Sequence, residues 1–467
     1  MSAQRAQVVV IGSGFAGLHA LRRLERLLPP DAADLVVISP TDYLVYSPLL
    51  PDVVASVLEP RHVAVSLRQV LPRTRLVLGH SLSVDRAARS VEVGPSMRGN
   101  ADTVTVGWDR LLVAPGSVTR RFPIPGMSEH AHGVKTLTEA VFLRDHLLTQ
   151  LDIADALPRE RAYDAERRER MTVVAVGAGY TGTEVVAQTH RWLSRIASRW
   201  THLDVSDVRW VLVDVAPTVL PELGARLGAY ALSVLRGRGV EVRLGVSVAS
   251  VAEHTITLTD GTAIPSRTLM WSAGIVASPL MATFGLPLDR GRLLTDAQMR
   301  ASEDIWAVGD AAAVPDLARK RAPGEPAPVT APTAQHAQRQ GNVVGYNIAA
   351  SLGCGRARAY RHKDLGLVAD LGGAKAVAKP LGIELTGLPG KAVARGYHLM
   401  ALPSMGNRMR VLTDWLLNAV LPPQSASLAV IRPEDALIAT AQSTDIYPKP
   451  APRPAGSGPV SDDVPAQ

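Results

Sequence analysis

Two short apolar runs, each followed by three glycines and an amphipathic stretch, organise the pattern of this chain. In the first, Val8 to Ile11 are apolar without alternation, which predicts a buried parallel strand. Gly12, Gly14 and Gly17 follow in G-x-G-x-x-G spacing, and Leu18, Leu21, Leu24, Leu27 and Leu28 then recur as on one face of a helix. The second unit starts 165 residues later, with Val173–Val176 as the strand and Gly177, Gly179 and Gly182 as the glycines. Each unit leads to another apolar run, Leu35–Ile38 ending at Ser39 and Trp210–Val213 ending at Asp214. Residues 304–314 (DIWAVGDAAAV) predict a strand, a Gly309-Asp310 pair and a small-residue helix start. Residues 158–170 read as a solvated, mixed-charge helix. Met409–Leu421 reads as a helix whose apolar stripe is Val411, Leu412, Trp415, Leu416, Ala419 and Val420. Beyond Tyr447 the chain is rich in Pro, Ser and Gly, a composition that predicts disorder.

The glycine spacing carries chemistry because each position has a separate task. Gly12 and Gly177 permit the tight turn, Gly14 and Gly179 let backbone approach a pyrophosphate, and Gly17 and Gly182 let helix and strand pack closely. The helix N-terminus adds free N–H groups and a partial positive charge. One such motif is a weak signal; two, each in strand–turn–helix context, predict two dinucleotide sites. At the adenosine ribose, the first unit offers Ser39 in place of the usual acid. The second offers Asp214, which accepts from a 2′-hydroxyl and repels a 2′-phosphate, so NADH is expected over NADPH. Arg209 lies at the far start of the same strand, too distant to help a phosphate. An aspartate after glycine, as in Gly309-Asp310, suits a helix cap, and the pair also resembles the one whose aspartate binds the flavin's ribityl or pyrophosphate region in two-dinucleotide flavoproteins. If it meets the flavin, the chain returns to its first domain after the second.

Composition narrows the rest. At 467 residues with 46% apolar content, the chain can bury two or three cores. Aromatic residues are only 4%, which argues against nucleic acid as a partner. The single cysteine, Cys354, excludes an intrachain disulfide and a redox-active cysteine pair. The histidines show no metal-ligand spacing; His130 and His132 read as a loop pair with a surface or core role, and no metal is expected. The formal charge of +7 fits either ordinary surface charge or attraction to anionic lipid. No signal peptide and no apolar run of about 18 residues is evident, so a cytoplasmic protein with at most peripheral membrane contact is expected. Near the stripe of Met409–Leu421, Arg408, Arg410, Arg395 and His398 supply a basic flank, which suits an in-plane interfacial helix as well as one packed on protein.

These residues resemble the pyridine nucleotide-disulfide oxidoreductase-like flavoproteins and, more closely, the type II NADH:quinone oxidoreductases, over about residues 6–422. The segments that carry the likeness include SPTDYLVYSPLLPDVVASVLEPRHVAVSLR, LMWSAGIVASPL, APTAQHAQRQG and HLMALPSMGNRMRVLTDWLLNAVL. Ala114-Pro115-Gly116-Ser117 stands in place of the family's A-T-G-S-type turn. The resemblance implies that Gly12, Gly14, Gly17, Ser39, Gly116, Gly309 and Asp310 serve FAD, with Pro48 and Leu49 beside its isoalloxazine. It implies that Gly177, Gly179, Gly182 and Asp214 hold NADH, and that Glu184 lies near both reacting rings as a proton relay. A helix-start cap or pairing residue is the alternative reading of Glu184. Gln335 matches the first glutamine of the quinone segment, whereas Arg339 replaces the second and Asp42 replaces a usual asparagine.

The implied fold is α/β, with two Rossmann-type domains, the NAD domain inserted in the FAD domain, and a small C-terminal membrane-facing segment. The expected divisions are 6–130 and 295–390 for FAD, 131–294 for NAD(P)H, 391–446 for the amphipathic segment and 447–467 for the disordered tail. The implied activity is non-pumping electron transfer from NADH through FAD to a quinone, at the cytoplasmic face of the membrane, with a homodimer left open. A soluble NAD(P)H-dependent flavoprotein reductase and a nucleotide-bound sensor are the alternatives.

Overall fold

A computed structural model describes residues 5–95, 103–320 and 328–442. The expected disordered tail, 447–467, lies outside the described residues. Two sheets of largely parallel strands dominate. The first has the order Arg300–Ser302, Ile305–Ala307, Arg110–Val113, Ala6–Ile11, Ala33–Ser39, Thr74–Leu78. The second has the order His132–Gly133, Thr268–Trp271, Thr172–Val176, Arg209–Asp214, Glu241–Leu244. Val8 pairs with Leu35 in one and Val173 with Trp210 in the other, so the two glycine units are built to the same plan. Val8, Val9 and Val10 are wholly buried, as strands covered on both faces require.

The helix after the first glycines spans Phe15–Leu27 and buries Leu18, Leu21 and Leu24. Against it lies a helix from much later in the chain, Ala334–Ser351. Their approach is close enough that a Cβ on Gly341 would sit 2.3 Å from the Ala16 carbonyl oxygen. The chain leaves the first sheet through Ser117–Thr119 and returns through Ile275–Ala277, two strands paired antiparallel. The second sheet is therefore an insertion, and the strand before Gly309-Asp310 comes home to pair with Arg110–Val113.

Several local expectations need correction. The mixed-charge stretch is an α-helix only over Asp164–Arg170, behind one turn of 3₁₀ helix. His132 is not in a loop: it is buried in a short strand, bonds the Ala436 carbonyl and packs on Phe142 and His146. The C-terminal helix begins at Met405 rather than Met409, because Ser404 caps it by accepting from the Asn407 amide. Its stripe divides: Val411 and Trp415 pack on the body, while Leu416 and Val420 face outward. His398 and Arg395 do not flank this helix as a basic surface. They lie on a preceding helix, Gly387–Ala401, and turn inward to an internal cavity. The chain then runs back to the inserted domain, where Ile438 joins its core and Gln442 accepts from the Thr119 amide at 2.6 Å.

Candidate active site

Both glycine loops show the division of labour their spacing predicts. Gly12 and Gly177 have φ of +94° and +109°, the left-handed region where a Cβ is strained. A Cβ on Gly17 would lie 2.0 Å from the Gly12 carbonyl oxygen, and one on Gly182 would lie 1.9 Å from that of Gly177. Gly14 and Gly179 are the opposite case: both are exposed, and a Cβ on either meets nothing within 4 Å. Open space thus lies over the middle glycine of each loop, beside a helix N-terminus, which fits a pyrophosphate group in both places.

The strand-end residues differ from each other. Asp214 accepts from the Ala178 amide at 2.5 Å and the Ala216 amide at 2.7 Å, which sets its carboxylate beside the second loop. Arg209 sits at the other end of that strand in an ion pair with Glu241. Ser39 is buried and donates its one hydroxyl hydrogen to the Thr41 carbonyl, so Ser13 must donate to Ser39. Its hydroxyl therefore braces the loop from within. Asp310 does not cap its short 3₁₀ helix. It accepts from the Ser117 hydroxyl at 2.6 Å, and Ser117 in turn accepts from Lys135 Nζ. Gly309 has φ +69° and donates its amide to Gln340. Gly116, at φ +77°, turns the chain just before Ser117.

A cleft open to solvent is lined by residues from both domains. Pro48, Tyr180, Glu184, Trp271, Gln335 and His398 are among its walls. Gln335 donates to the Gly366 carbonyl at 2.6 Å, while its Oε1 has no partner among the described residues. Arg339 is not on the cleft wall; it turns to His362 and the Lys363 carbonyl, and Gln338 lines the cleft instead.

Residues 6–341 match the pyridine nucleotide-disulphide oxidoreductase family. The type II NADH:quinone oxidoreductase Ndh of Mycobacterium tuberculosis is 31% identical over 431 residues, 88% of each chain. The chain belongs to the type II NADH:quinone oxidoreductases. Within this family, a mitochondrial internal alternative NAD(P)H-ubiquinone oxidoreductase of Solanum tuberosum is 28% identical, covering 90% of this chain and 87% of that one. The NDH2 structure from Plasmodium falciparum in complex with NADH superposes with a TM-score of 0.80 at 17% identity, covering 91% of this chain and all of that one, and shows the shared fold.

Behind the cleft wall, this member of the type II oxidoreductases holds a group of ionisable side chains. Leu49 faces this inner region rather than the open cleft, while Pro48 borders both. Glu184, on the helix Tyr180–Arg195, accepts from the Asp370 amide at 2.6 Å; it does not cap its own helix. Burial pushes its carboxyl well above the usual range, and the nearby Asp370 and Asp52 push the same way. Asp370 is bound by Lys391 in a buried ion pair. His398 is held near pKa 4 by burial and hydrogen-bonds Tyr46 at 3.1 Å. Asp52, Asp370, Lys391 and Lys135 escaped notice in the sequence. The one available signal was a charge inside an apolar stretch, as in LLPDVV and LVADLGG.

Proposed function

We propose that this chain oxidises NADH and reduces a membrane quinone. The observation that carries the proposal is a cleft bordered by Tyr180 and Thr181, within the second glycine motif, and by Pro48, Glu184 and Gln335, together with two glycine loops whose middle glycines face open space. When bound, FAD supplies the two-electron chemistry, taking a hydride from the nicotinamide and passing the electron pair to the acceptor. The residues do the placing. Gly12, Gly14, Gly17, Gly309 and Asp310 would seat FAD, Gly177, Gly179, Gly182 and Asp214 would seat NADH, and Pro48 would border the ring region. Gln335 lines the cleft and keeps a buried amide oxygen without a partner among the described residues, an acceptor that a donor on the reduced acceptor would satisfy. Glu184 would give a proton to the reduced acceptor, since burial raises its carboxyl and favours the protonated form. The test mixes NADH-reduced protein with menaquinone and ubiquinone analogues under anaerobic conditions. Rapid recolouring by either analogue is expected. Recolouring only by a small soluble acceptor would favour the soluble reductase instead.

Asp214 supports NADH over NADPH. Replacing it by serine is expected to shift the NADH-to-NADPH ratio of kcat/KM toward NADPH by about tenfold, since one repulsive contact of ~1.4 kcal/mol is relieved. An unchanged ratio would place the discrimination elsewhere.

Peripheral membrane contact is supported by the outward side of the last helices. Met405, Met409, Leu416, Val420 and Leu421 are exposed there, with Met400 and Leu388 from the preceding helix. No helix among the described residues is long and apolar enough to cross a membrane. An in-plane helix with its apolar side in the interface fits, and it would bring the protein to a lipid-soluble acceptor. Trp415 and Val411 anchor this helix to the body, so point changes are the cleaner probe than truncation. Serine at Met405, Met409, Leu416 and Val420 together is expected to abolish pelleting with anionic vesicles while flavin content is kept. Equal pelleting, with a concentration-dependent dimer broken by the same changes, would assign the surface to a second copy of the chain.

A further inference from the structure

The carboxyl group of Asp52 has no part in the chemistry described so far, yet it is built into the wall behind Glu184. It belongs to a short helix, Leu50–Val54, and is buried. One oxygen accepts from Gln188 Nε2 at 2.5 Å and the other from Trp415 Nε1 at 2.9 Å. Both donors are neutral. Gln188 lies one helical turn beyond Glu184, so Asp52 is tied to the face from which Glu184 projects. The two carboxyl groups border one internal cavity with room for about one water molecule. Glu184, His398, Pro48 and Pro51 border this cavity and the open cleft alike.

The charges around it come from three packed elements. Glu184 faces it from the helix Tyr180–Arg195, and Asp370 from the strand Val368–Asp370. Lys391, Arg395 and His398 come from the helix Gly387–Ala401. Lys391 is committed to Asp370, and Arg395 stacks over the Trp415 ring. Burial lifts the Asp52 carboxyl to about 6, Asp370 adds to the rise, and Lys391, Trp415 and Arg395 oppose it.

We propose that Asp52 is the proton donor that reloads Glu184 across this cavity during quinone reduction. The inference rests on the quinone reading above. When Glu184 has given its proton to an oxygen of the acceptor, the Asp52 O–H bond breaks and an O–H bond re-forms on Glu184. A water in the cavity accepts from one carboxyl and donates to the other. Asp52 then regains a proton from solvent water, and no electrons move in the step. One solvent proton per turnover is what NADH oxidation by a quinone consumes, since the hydride brings the other hydrogen.

Asp52→Asn separates this role from a structural one. Asparagine can still accept from Trp415, and Gln188 can turn its amide to accept from the new NH₂, so both hydrogen bonds survive while the titrating group is lost. In the flavin-loaded protein reduced by NADH, reoxidation by a soluble quinone analogue is expected to be at least tenfold slower than wild type. The wild-type rate should fall in two steps as pH rises, and the step near pH 6 should be missing from Asp52→Asn. Independently of turnover, infrared spectra should show a buried carboxylic acid band titrating near pH 6, absent from the variant. Trp415→Phe keeps the carboxyl but removes a bond to its ionised form, so that step should move upward in pH. It carries the test if Asp52→Asn fails to retain flavin. Wild-type reoxidation with a wild-type pH profile in Asp52→Asn would overturn the proposal. A wild-type protein that no quinone reoxidises would bring down the quinone reading itself, a different result from a quinone-active protein indifferent to Asp52.

Discussion

Glutamine in place of Glu184 is expected to slow quinone reduction by about 10²- to 10⁴-fold, the range for loss of a positioned proton donor. The substitution is close to isosteric with the protonated acid. Its amide oxygen can still accept from the Asp370 amide, the bond that fixes the side chain at 2.6 Å. What it lacks is a proton to give. Flavin content should therefore stay at the wild-type level, and the loss should fall on the reoxidation limb of a rapid-mixing experiment. The pH dependence follows from the direction of the shift. A carboxyl raised by burial keeps its proton through the ordinary carboxylate range, so the step in the wild-type rate that belongs to Glu184 comes only as pH passes its raised value, separate from the step assigned to Asp52. The glutamine variant should lose that step. Unchanged kinetics would leave Glu184 as a packing residue beside the cleft.

The other large effect belongs to the first glycine loop. Valine at Gly12 meets two obstacles at once: φ of +94°, and a Cβ 2.3 Å from the Ala114 carbonyl oxygen. A backbone carbonyl one residue past the strand Arg110–Val113 cannot yield as a flexible side chain can. Overpacking of this kind costs about 1–3 kcal/mol, and left-handed strain about 1–3 kcal/mol more. The expected result is a poorly folded protein without flavin. Valine at Gly14 is the control, because its side chain would project into open space over the loop. That variant should fold with near wild-type thermal stability but bind flavin much more weakly. If both variants behave alike, the distinction between turn glycine and cradle glycine is wrong.

The strands and glycine loops were legible because the signals that specify them are local. An unbroken run such as Val8–Ile11 and a glycine that no other residue can replace lie within a dozen positions. Asp214 was legible for the same reason, at the end of its strand. The cluster behind Glu184 was not, since Asp52, Glu184, Asp370 and Lys391 come from four segments that only the insertion and the return of the chain bring together. Ser39 was read as a ribose contact, but a single hydroxyl hydrogen already committed to Thr41 cannot be seen in a sequence. The last helix shows a different limit. Val411 and Trp415 point inward while Leu416 and Val420 point outward, yet all four belong to one apolar stripe, and periodicity alone does not say which part meets protein. Ile438 and Gln442 carried no pattern at all, although they pin the chain to the inserted domain.

The central claim is that two nucleotides of different kinds meet in one cleft, FAD on the first loop and NADH on the second. Anaerobic titration of the purified protein with NADH tests it most directly. One flavin per chain, bleached by one equivalent of NADH, is the predicted result. A protein that takes up no flavin on reconstitution, or whose bound flavin NADH leaves fully coloured, would contradict it.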